Sequence, residues 1–78
     1  MSYILVVDDE KDIRDLIGEI LIDEGHEVKL AENSEQAMNH IDHTPPQLII
    51  LDIWLKDSKM DGIEILKAVK SNNPSIPI

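Results

Sequence analysis

The chain contains no cysteine, and its Lys and Arg residues number only 7 among 78 residues, against 16 Asp and Glu. Without cysteine the protein can have neither a disulfide framework nor a metal site built on thiolates. The net charge of −9 argues against direct nucleic-acid binding by this segment, because a surface that binds phosphates needs a basic patch. The length predicts a single domain that buries only about 60% of its unfolded surface.

Long apolar runs are also absent. No stretch approaches the roughly 20 residues that a membrane span needs, and the N-terminal Met1-Ser2-Tyr3 lacks the basic region and apolar core of a signal peptide. We therefore expect no membrane association and a cytoplasmic location. The G-x-x-x-x-G-K-S/T pattern of a phosphate-binding loop is missing as well, so a nucleoside triphosphatase is not expected.

Two short apolar runs each end in carboxylates. Ile4–Val7 leads into Asp8 and Asp9, and Leu48–Leu51 leads into Asp52. Four consecutive aliphatic residues are typical of a buried parallel strand. Since ligands of open α/β sheets bind outside the carboxyl ends of the strands, neighbouring strands would bring three carboxylates to one sheet edge. Such a cluster repels itself unless a cation neutralises it, so the sequence predicts a divalent-metal site.

Strand and helix patterns alternate along the rest of the chain. Strands are predicted at 3–7, 26–31 and 47–51, with a fourth beginning at 76–78. The first helix is predicted from an apolar stripe followed by Gly25 (Ile13, Leu16, Ile17, Ile20, Leu21). The second helix, 34–43, is predicted from a capping signal, and the third follows the Asp61-Gly62 turn. This order predicts a parallel sheet with right-handed crossovers.

The acidic residues admit more than one interpretation. Asp8 and Asp9 could only cap the first helix, where carboxylates interact favourably with the helix dipole, and Asp52 could be a loop residue. If the three share a site, a hard cation such as Mg²⁺ suits their oxygen ligands. A carboxylate beside that cation can attack phosphorus to form an aspartyl phosphate. A histidine-based metal site is not expected, because the three histidines are scattered at element ends.

These residues together resemble the receiver domain of two-component response regulators. The segment 4–10 is similar to the family's first strand and acidic pair, 48–52 to its third strand and phosphoacceptor, and Asp61-Gly62 to the turn that opens its third helix. The resemblance covers the whole chain. It implies the flavodoxin-like (CheY-like) doubly wound parallel α/β sheet with strand order 2-1-3-4-5, which places strands one and three side by side.

The resemblance also implies a role for each site residue. Asp52 would accept a phosphoryl group from the phosphohistidine of a sensor histidine kinase, which makes the chain a signalling module rather than an enzyme. Asp8, Asp9 and Asp52 would bind Mg²⁺, and the backbone carbonyl of Trp54 would be a further ligand. The long loop 53–60, which lacks proline, is similar to that of NtrX-type nitrogen regulators, in which the receiver precedes an ATPase module and a DNA-binding module that control transcription.

Residues 1–78 are expected to be the N-terminal part of a receiver, without the later Ser or Thr and Lys positions and without helices four and five. We expect this segment alone to be incompetent for full switching. In the family fold helices one and five cover one sheet face, so strands one and three should expose apolar surface there and strand four should be an open edge. Such surfaces drive association, which predicts a dimer or a swapped oligomer.

Two other functions remain open from the sequence. A phosphotransferase of the haloacid-dehalogenase type also uses an aspartate nucleophile, but its Asp-x-Asp pattern is not matched. The residue two beyond Asp8 is Glu10, and the residue two beyond Asp52 is Trp54. A pseudo-receiver would use the fold as an interaction module without phosphorylation, which the intact acidic triplet disfavours.

Overall fold

The computed structural model describes residues 2–55 and 59–78, so that 56–58 of the predicted loop lie outside the described residues. Strands and helices alternate along the chain, and the strands form one parallel sheet in the order β2-β1-β3. The elements are β1 (Ile4–Val7), α1 (Lys11–Asp23), β2 (Val28–Ala31), α2 (Ser34–His43), β3 (Leu48–Leu51) and α3 (Gly62–Asn72). The central position of β1 confirms the predicted doubly wound topology.

The register of the sheet places the carboxyl ends of its strands at one level. Val7 at the end of β1 pairs with Ala31 of β2 on one side and with Leu51 of β3 on the other. The hydrogen bonding continues one residue further, because the Asp8 N–H donates to the Ala31 carbonyl and the Asp52 N–H donates to the Val7 carbonyl, both at 3.0 Å. The residues that follow β1 and β3 therefore leave the sheet side by side.

The core lies between the sheet and the two helices α2 and α3. Alternate strand residues face this layer, as the period of two in a strand requires (Leu5, Val7, Ile49). They pack with buried residues of α2 and α3 (Ala37, Ile41, Ile65, Val69). On the opposite face α1 packs on β1 and β2, and it covers Ile4 and Val6, which are 3% and 0% exposed. The expectation that β1 exposes apolar surface on this side is therefore wrong.

The apolar stripe of α1 is only partly buried. Gly18 is buried, and Ile17 and Leu21 are half-buried, whereas Leu16 and Ile20 are 56% and 53% exposed. Because α1 sits over β1 and β2, the side of the helix that turns away from β2 receives no cover from the described part of the chain. The exposed apolar surface predicted for this face lies mainly on the helix itself, with half-buried β3 residues beside it (Leu48, Ile50).

The segment expected to begin a fourth strand does not form one among the described residues. It nevertheless lies along β3, on the side opposite β1, where the Ile49 N–H donates to the Pro77 carbonyl at 3.0 Å and Ile76 is buried. Pro77 has no N–H to donate. Among the described residues, one backbone hydrogen bond joins the segment to β3, which is insufficient for a strand. The Lys70 side chain of α3 also holds the segment, since its Nζ donates to the Ile76 carbonyl at 2.6 Å.

The ends of the described helices follow local signals. α1 ends at Asp23, and Gly25 follows its C-cap with a φ of 93°. This suits the left-handed position of a Schellman motif, in which the N–H groups of Gly25 and His26 donate to the carbonyls of Ile22 and Leu21. α2 begins at the predicted cap, since the Asn33 side chain accepts from the Gln36 N–H at 2.9 Å. Among the described residues, no helix has both the length and the apolar character needed to cross a bilayer.

Candidate functional site

Three carboxylates converge at the carboxyl edge of the sheet. Asp8 and Asp9 directly follow β1, and Asp52 directly follows β3. One carboxylate oxygen of each residue lies within 4.8 Å of the others, and all three residues are half-buried. The level ends of two adjacent parallel strands are sufficient to bring them together, because a residue that follows each strand must start from the same edge.

Two matching hydrogen bonds orient the acidic side chains. The Oδ1 atom of Asp8 accepts from the Glu10 N–H at 2.9 Å, and the Oδ1 atom of Asp52 accepts from the Trp54 N–H at 3.0 Å. Both bonds join a carboxylate to the backbone two residues later, which is the arrangement of an Asx turn. These turns direct the chain away from the sheet and hold one oxygen of each carboxylate in place.

The helix-cap interpretation of the acidic pair is only partly correct. The N-cap of α1 is Glu10, whose side chain makes no capping hydrogen bond. Asp8 bonds the N–H of the N-cap residue itself rather than an N–H inside the helix. The acidic pair therefore lies before the helix, at the edge of the sheet, where it forms one cluster of negative charge with Asp52.

The donor set of this cluster suits a hard divalent cation. All three groups are carboxylates, and Mg²⁺ and Ca²⁺ prefer oxygen ligands, whereas imidazole and thiolate favour softer metals. Their mutual repulsion at this separation favours a bound cation. Within residues 2–55 and 59–78, no other group of three metal-ligating side chains comes this close together. The three histidines are not part of the cluster.

A cationic side chain that the sequence analysis did not single out reaches the same edge. Arg14, the fourth residue of α1, donates a hydrogen bond from Nη1 to the backbone carbonyl of Asp8 at 2.9 Å. Its position six residues after Asp8 carries no recognised motif. Only the folding of α1 back along the strand end reveals the contact, because the helix brings its first turns next to the residues that precede it.

The amino end of α3 lies against the backbone that carries Asp52. The helix begins with a capping box, in which the Asp61 side chain accepts from the Glu64 N–H at 2.8 Å and the Glu64 side chain accepts from the Asp61 N–H at 3.1 Å. The next residue, Gly62, donates its N–H to the Ile53 carbonyl at 3.3 Å. The sequence predicted this turn, but not that it packs on the end of β3.

Trp54 forms the exposed rim of the site. Its residue surface is 79% exposed, while its backbone N–H is held by Asp52. An indole this close to the acidic cluster in sequence, and largely in solvent, is a convenient fluorescence probe of the strand end. The predicted role of its carbonyl as a metal ligand stays a prediction.

Known proteins share both the sequence and the fold of this chain. The family model of the response regulator receiver domain matches residues 4–78. The nitrogen assimilation regulatory protein NtrX of Azorhizobium caulinodans is 44% identical over 75 residues, which are 96% of this chain and 16% of that protein. The chain therefore spans about one-sixth of the length of this curated relative.

Solved structures agree with this assignment. The receiver domain of NtrX from Brucella abortus matches with a TM-score of 0.92 and 49% identity, over 95% of this chain and 62% of that chain. The response regulator TrrA from Thermotoga maritima, solved in complex with Mg(2+)-BeF, matches with a TM-score of 0.85 and 38% identity, over 95% of this chain and 63% of that chain. The predicted resemblance is confirmed: the chain belongs to the family of response regulator receiver domains of two-component regulatory systems, and it is similar to those of NtrX-type regulators.

Proposed function

We propose that Asp52 is the phosphoacceptor of this receiver, taking a phosphoryl group from the phosphohistidine of a sensor histidine kinase. The observation that carries this proposal is the approach of one oxygen each of Asp8, Asp9 and Asp52 to within 4.8 Å of one another. Family membership supports it, because receiver domains of response regulators receive phosphate from sensor histidine kinases. Asp52 also directly follows β3, as the family's phosphoacceptor follows its third strand.

The transfer requires one bond to form and one to break. A carboxylate oxygen of Asp52 attacks the phosphorus of the phosphoimidazole, and the new O–P bond forms as the N–P bond breaks. The electron pair of the broken bond remains on the imidazole nitrogen, which then takes up a proton. Because Asp52 is half-buried at the sheet edge, one side of its carboxylate can meet the donor while the Trp54 N–H holds Oδ1.

A divalent cation is part of this proposal. An anionic phosphoryl group that approaches three carboxylates is repelled by them. Asp8, Asp9 and Asp52, with the backbone carbonyl of Trp54, would hold Mg²⁺, which when bound neutralises charge on the transferring oxygens. The all-oxygen donor set fits this ion. TrrA, which is 38% identical to this chain, was solved with Mg(2+)-BeF.

The output of the signal is proposed to be transcription. The curated relative is a nitrogen assimilation regulatory protein of which the matched segment forms 16%. Residues 1–78 are proposed as the N-terminal part of a receiver, and the match to the solved Brucella abortus receiver covers 95% of this chain and 62% of that chain. With a net charge of −9, this segment is expected to signal to other modules rather than to contact DNA itself.

A Mg²⁺ titration followed by Trp54 fluorescence tests the proposal. We expect a saturable change in fluorescence in the wild type. The dissociation constant should be at least about tenfold higher in Asp52→Asn, because one charged ligand is lost. Asp42→Asn is the matched control, since Asp42 lies exposed on α2 and its replacement removes the same charge. Equal affinity in the wild type and Asp52→Asn would rule out Asp52 as a ligand of the cation.

A second experiment addresses the covalent step. The protein is incubated with Mg²⁺ and acetyl phosphate, a small phosphodonor, and analysed by intact mass. We expect addition of one phosphoryl group to the wild type and to Asp42→Asn, and none to Asp52→Asn. Modification of Asp52→Asn to the same extent would assign the phosphoacceptor to another residue.

A further inference from the structure

Arg14 lies in the first turn of α1, and its side chain joins this helix to the acidic edge. Its N–H donates to the Glu10 carbonyl at 2.9 Å, as the first turn of the helix requires. Its Nη1 reaches back to donate to the Asp8 carbonyl at 2.9 Å, and the residue is half-buried. The guanidinium is therefore held in one place beside the acidic cluster rather than extended into solvent.

We propose that Arg14 is a positioning residue that stabilises the metal-free acidic cluster and thereby weakens the binding of a divalent cation to it. This inference rests on the proposed function, because it concerns the cation that Asp8, Asp9 and Asp52 hold. It adds a residue of the adjacent helix, outside the ligand set, that influences the affinity of the site for the cation.

The positive charge of Arg14 lies close to the carboxylate of Asp8. The guanidinium of Arg14 carries a positive charge. Since it bonds the carbonyl of Asp8, standard bond lengths place it roughly 5–8 Å from the carboxylate of the same residue. This separation is no longer than the Debye length of about 8–10 Å at physiological salt, so the charges interact. The guanidinium therefore attracts the cluster while no cation is bound.

Cation binding weakens the attraction between Arg14 and the acidic cluster. Three ionised carboxylates carry three negative charges, and a bound divalent cation leaves a single net negative charge. The attraction between Arg14 and the site then falls, and the guanidinium repels the cation itself. A group that stabilises the free state more than the bound state weakens binding by the difference between these two stabilisation free energies. Removing the charge of Arg14 should therefore tighten binding.

A purely structural role would give the opposite result. If the bond from Arg14 to Asp8 served only to hold the strand end in shape, its loss would disorder the ligands and weaken cation binding. The two roles therefore differ in the sign of one measured quantity. Stability of the metal-free protein falls in both cases, so stability alone does not distinguish them.

The experiment compares Arg14→Gln, Arg14→Lys and a control in the 78-residue chain. Lys67→Gln is the control, because Lys67 is exposed on α3 and its replacement removes the same charge. The dissociation constant for Mg²⁺ is measured by Trp54 fluorescence, and thermal unfolding is recorded in a chelator. We expect Arg14→Gln to bind Mg²⁺ roughly threefold to tenfold more tightly at low salt. The difference should shrink at about 0.5 M KCl, because salt screens the interaction.

Two variants, Arg14→Lys and Lys67→Gln, serve as controls that should leave Mg²⁺ affinity unchanged. Arg14→Lys keeps the charge and should retain the wild-type affinity, and Lys67→Gln should show it as well. Arg14→Gln should unfold at a lower temperature than the wild type when metal-free. Circular dichroism in saturating Mg²⁺ checks that it is folded. If it is not, Arg14→Lys supplies the test, since a loss of affinity there would show that geometry rather than charge matters.

Each result has one consequence. Saturable binding in the wild type with equal or weaker binding in Arg14→Gln overturns this inference and leaves the proposed function intact. Absence of saturable binding in the wild type overturns the proposed cation site, and the role of Arg14 with it. Tighter binding in Arg14→Gln, together with unchanged binding in Lys67→Gln, supports both.

Discussion

Gly62, the first residue of α3, lies directly against the carbonyl of Asp52. A Cβ atom on Gly62 would be 2.5 Å from the carbonyl oxygen of Asp52 and 2.3 Å from the Cα atom of Ile53. Both distances are far below van der Waals contact, and both atoms belong to the backbone, which cannot rotate away. The helix can begin at this place only because its first residue has no side chain.

Gly62→Ala is therefore expected to disturb both stability and the site. The added methyl group must push α3 away from the end of β3, which should lower the free energy of unfolding by about 1–3 kcal/mol. Because the methyl group also presses on the backbone of Asp52 and Ile53, the site should be distorted and Mg²⁺ affinity should fall as well. Urea unfolding and the Trp54 titration measure the two effects.

Gly18→Ala is the matched control for this substitution. A Cβ atom at Gly18 would meet Leu30 Cδ2 at 3.2 Å, the tip of a side chain that is 37% exposed and can move. Alanine also favours the interior of α1 over glycine by up to about 1 kcal/mol. We expect a neutral or slightly stabilising change without effect on Mg²⁺ binding. Equal destabilisation by both variants would contradict a special role for Gly62.

Tyr3 should make the stability of the protein depend on alkaline pH. Its side chain is buried, and the carbonyls of His40 and Thr44 at the end of α2 share its single hydroxyl proton. Burial raises the pKa of Tyr3 above its usual value. Above a pH of about 10 the unfolded chain loses this proton before the folded one does. Stability should therefore be retained below that pH and lost as the pH rises through the folded pKa.

Tyr3→Phe tests this linkage. We expect the variant to be about 1 kcal/mol less stable than the wild type near pH 8, because the hydroxyl hydrogen bonds are lost. The difference should narrow toward pH 11, because the wild type then loses the stability that Tyr3 contributes. Urea unfolding between about pH 8 and pH 11 measures the difference in stability between the two proteins. The phenolate absorbance of the single tyrosine follows the titration directly. A constant difference between the two proteins at all pH values would argue against the raised pKa.

The exposed side of α1 should promote self-association of the 78-residue chain. Leu16 and Ile20 are more than half exposed and lie one turn apart, next to Ile13 at 43% exposure. A contiguous apolar strip of this kind favours association. Leu16→Glu is expected to shift the chain toward the monomer, as measured by light scattering at micromolar concentration.

Ile63→Glu provides the comparison for this prediction. It introduces the same charge at an apolar residue of similar exposure, 43%, on α3. We expect it to leave the association unchanged, because it lies outside the α1 strip. A monomeric wild type at micromolar concentration would contradict the prediction, as would equal effects of the two variants.

Much of the fold is determined by short stretches of sequence. The aliphatic runs of β1 and β3, the cap at Asn33 and the Asp61-Gly62 turn each depend on residues within one or two turns of the chain, so their positions were predicted to within a residue or two. The meeting of three carboxylates could also be anticipated. Parallel strands with crossover helices present their carboxyl ends at one edge, whatever the loops between them are.

Only the tertiary structure decided which surfaces are covered and which groups touch. The stripe of α1 has the spacing of a buried face, yet its burial depends on neighbours that no local pattern specifies. The bond from Arg14 to Asp8 and the contact of Gly62 with Asp52 depend on how a helix returns to a strand end. Local periodicity determines which elements form, because it depends on near neighbours in the chain. Contacts between elements depend on distances in space, and these exist only once the chain has folded.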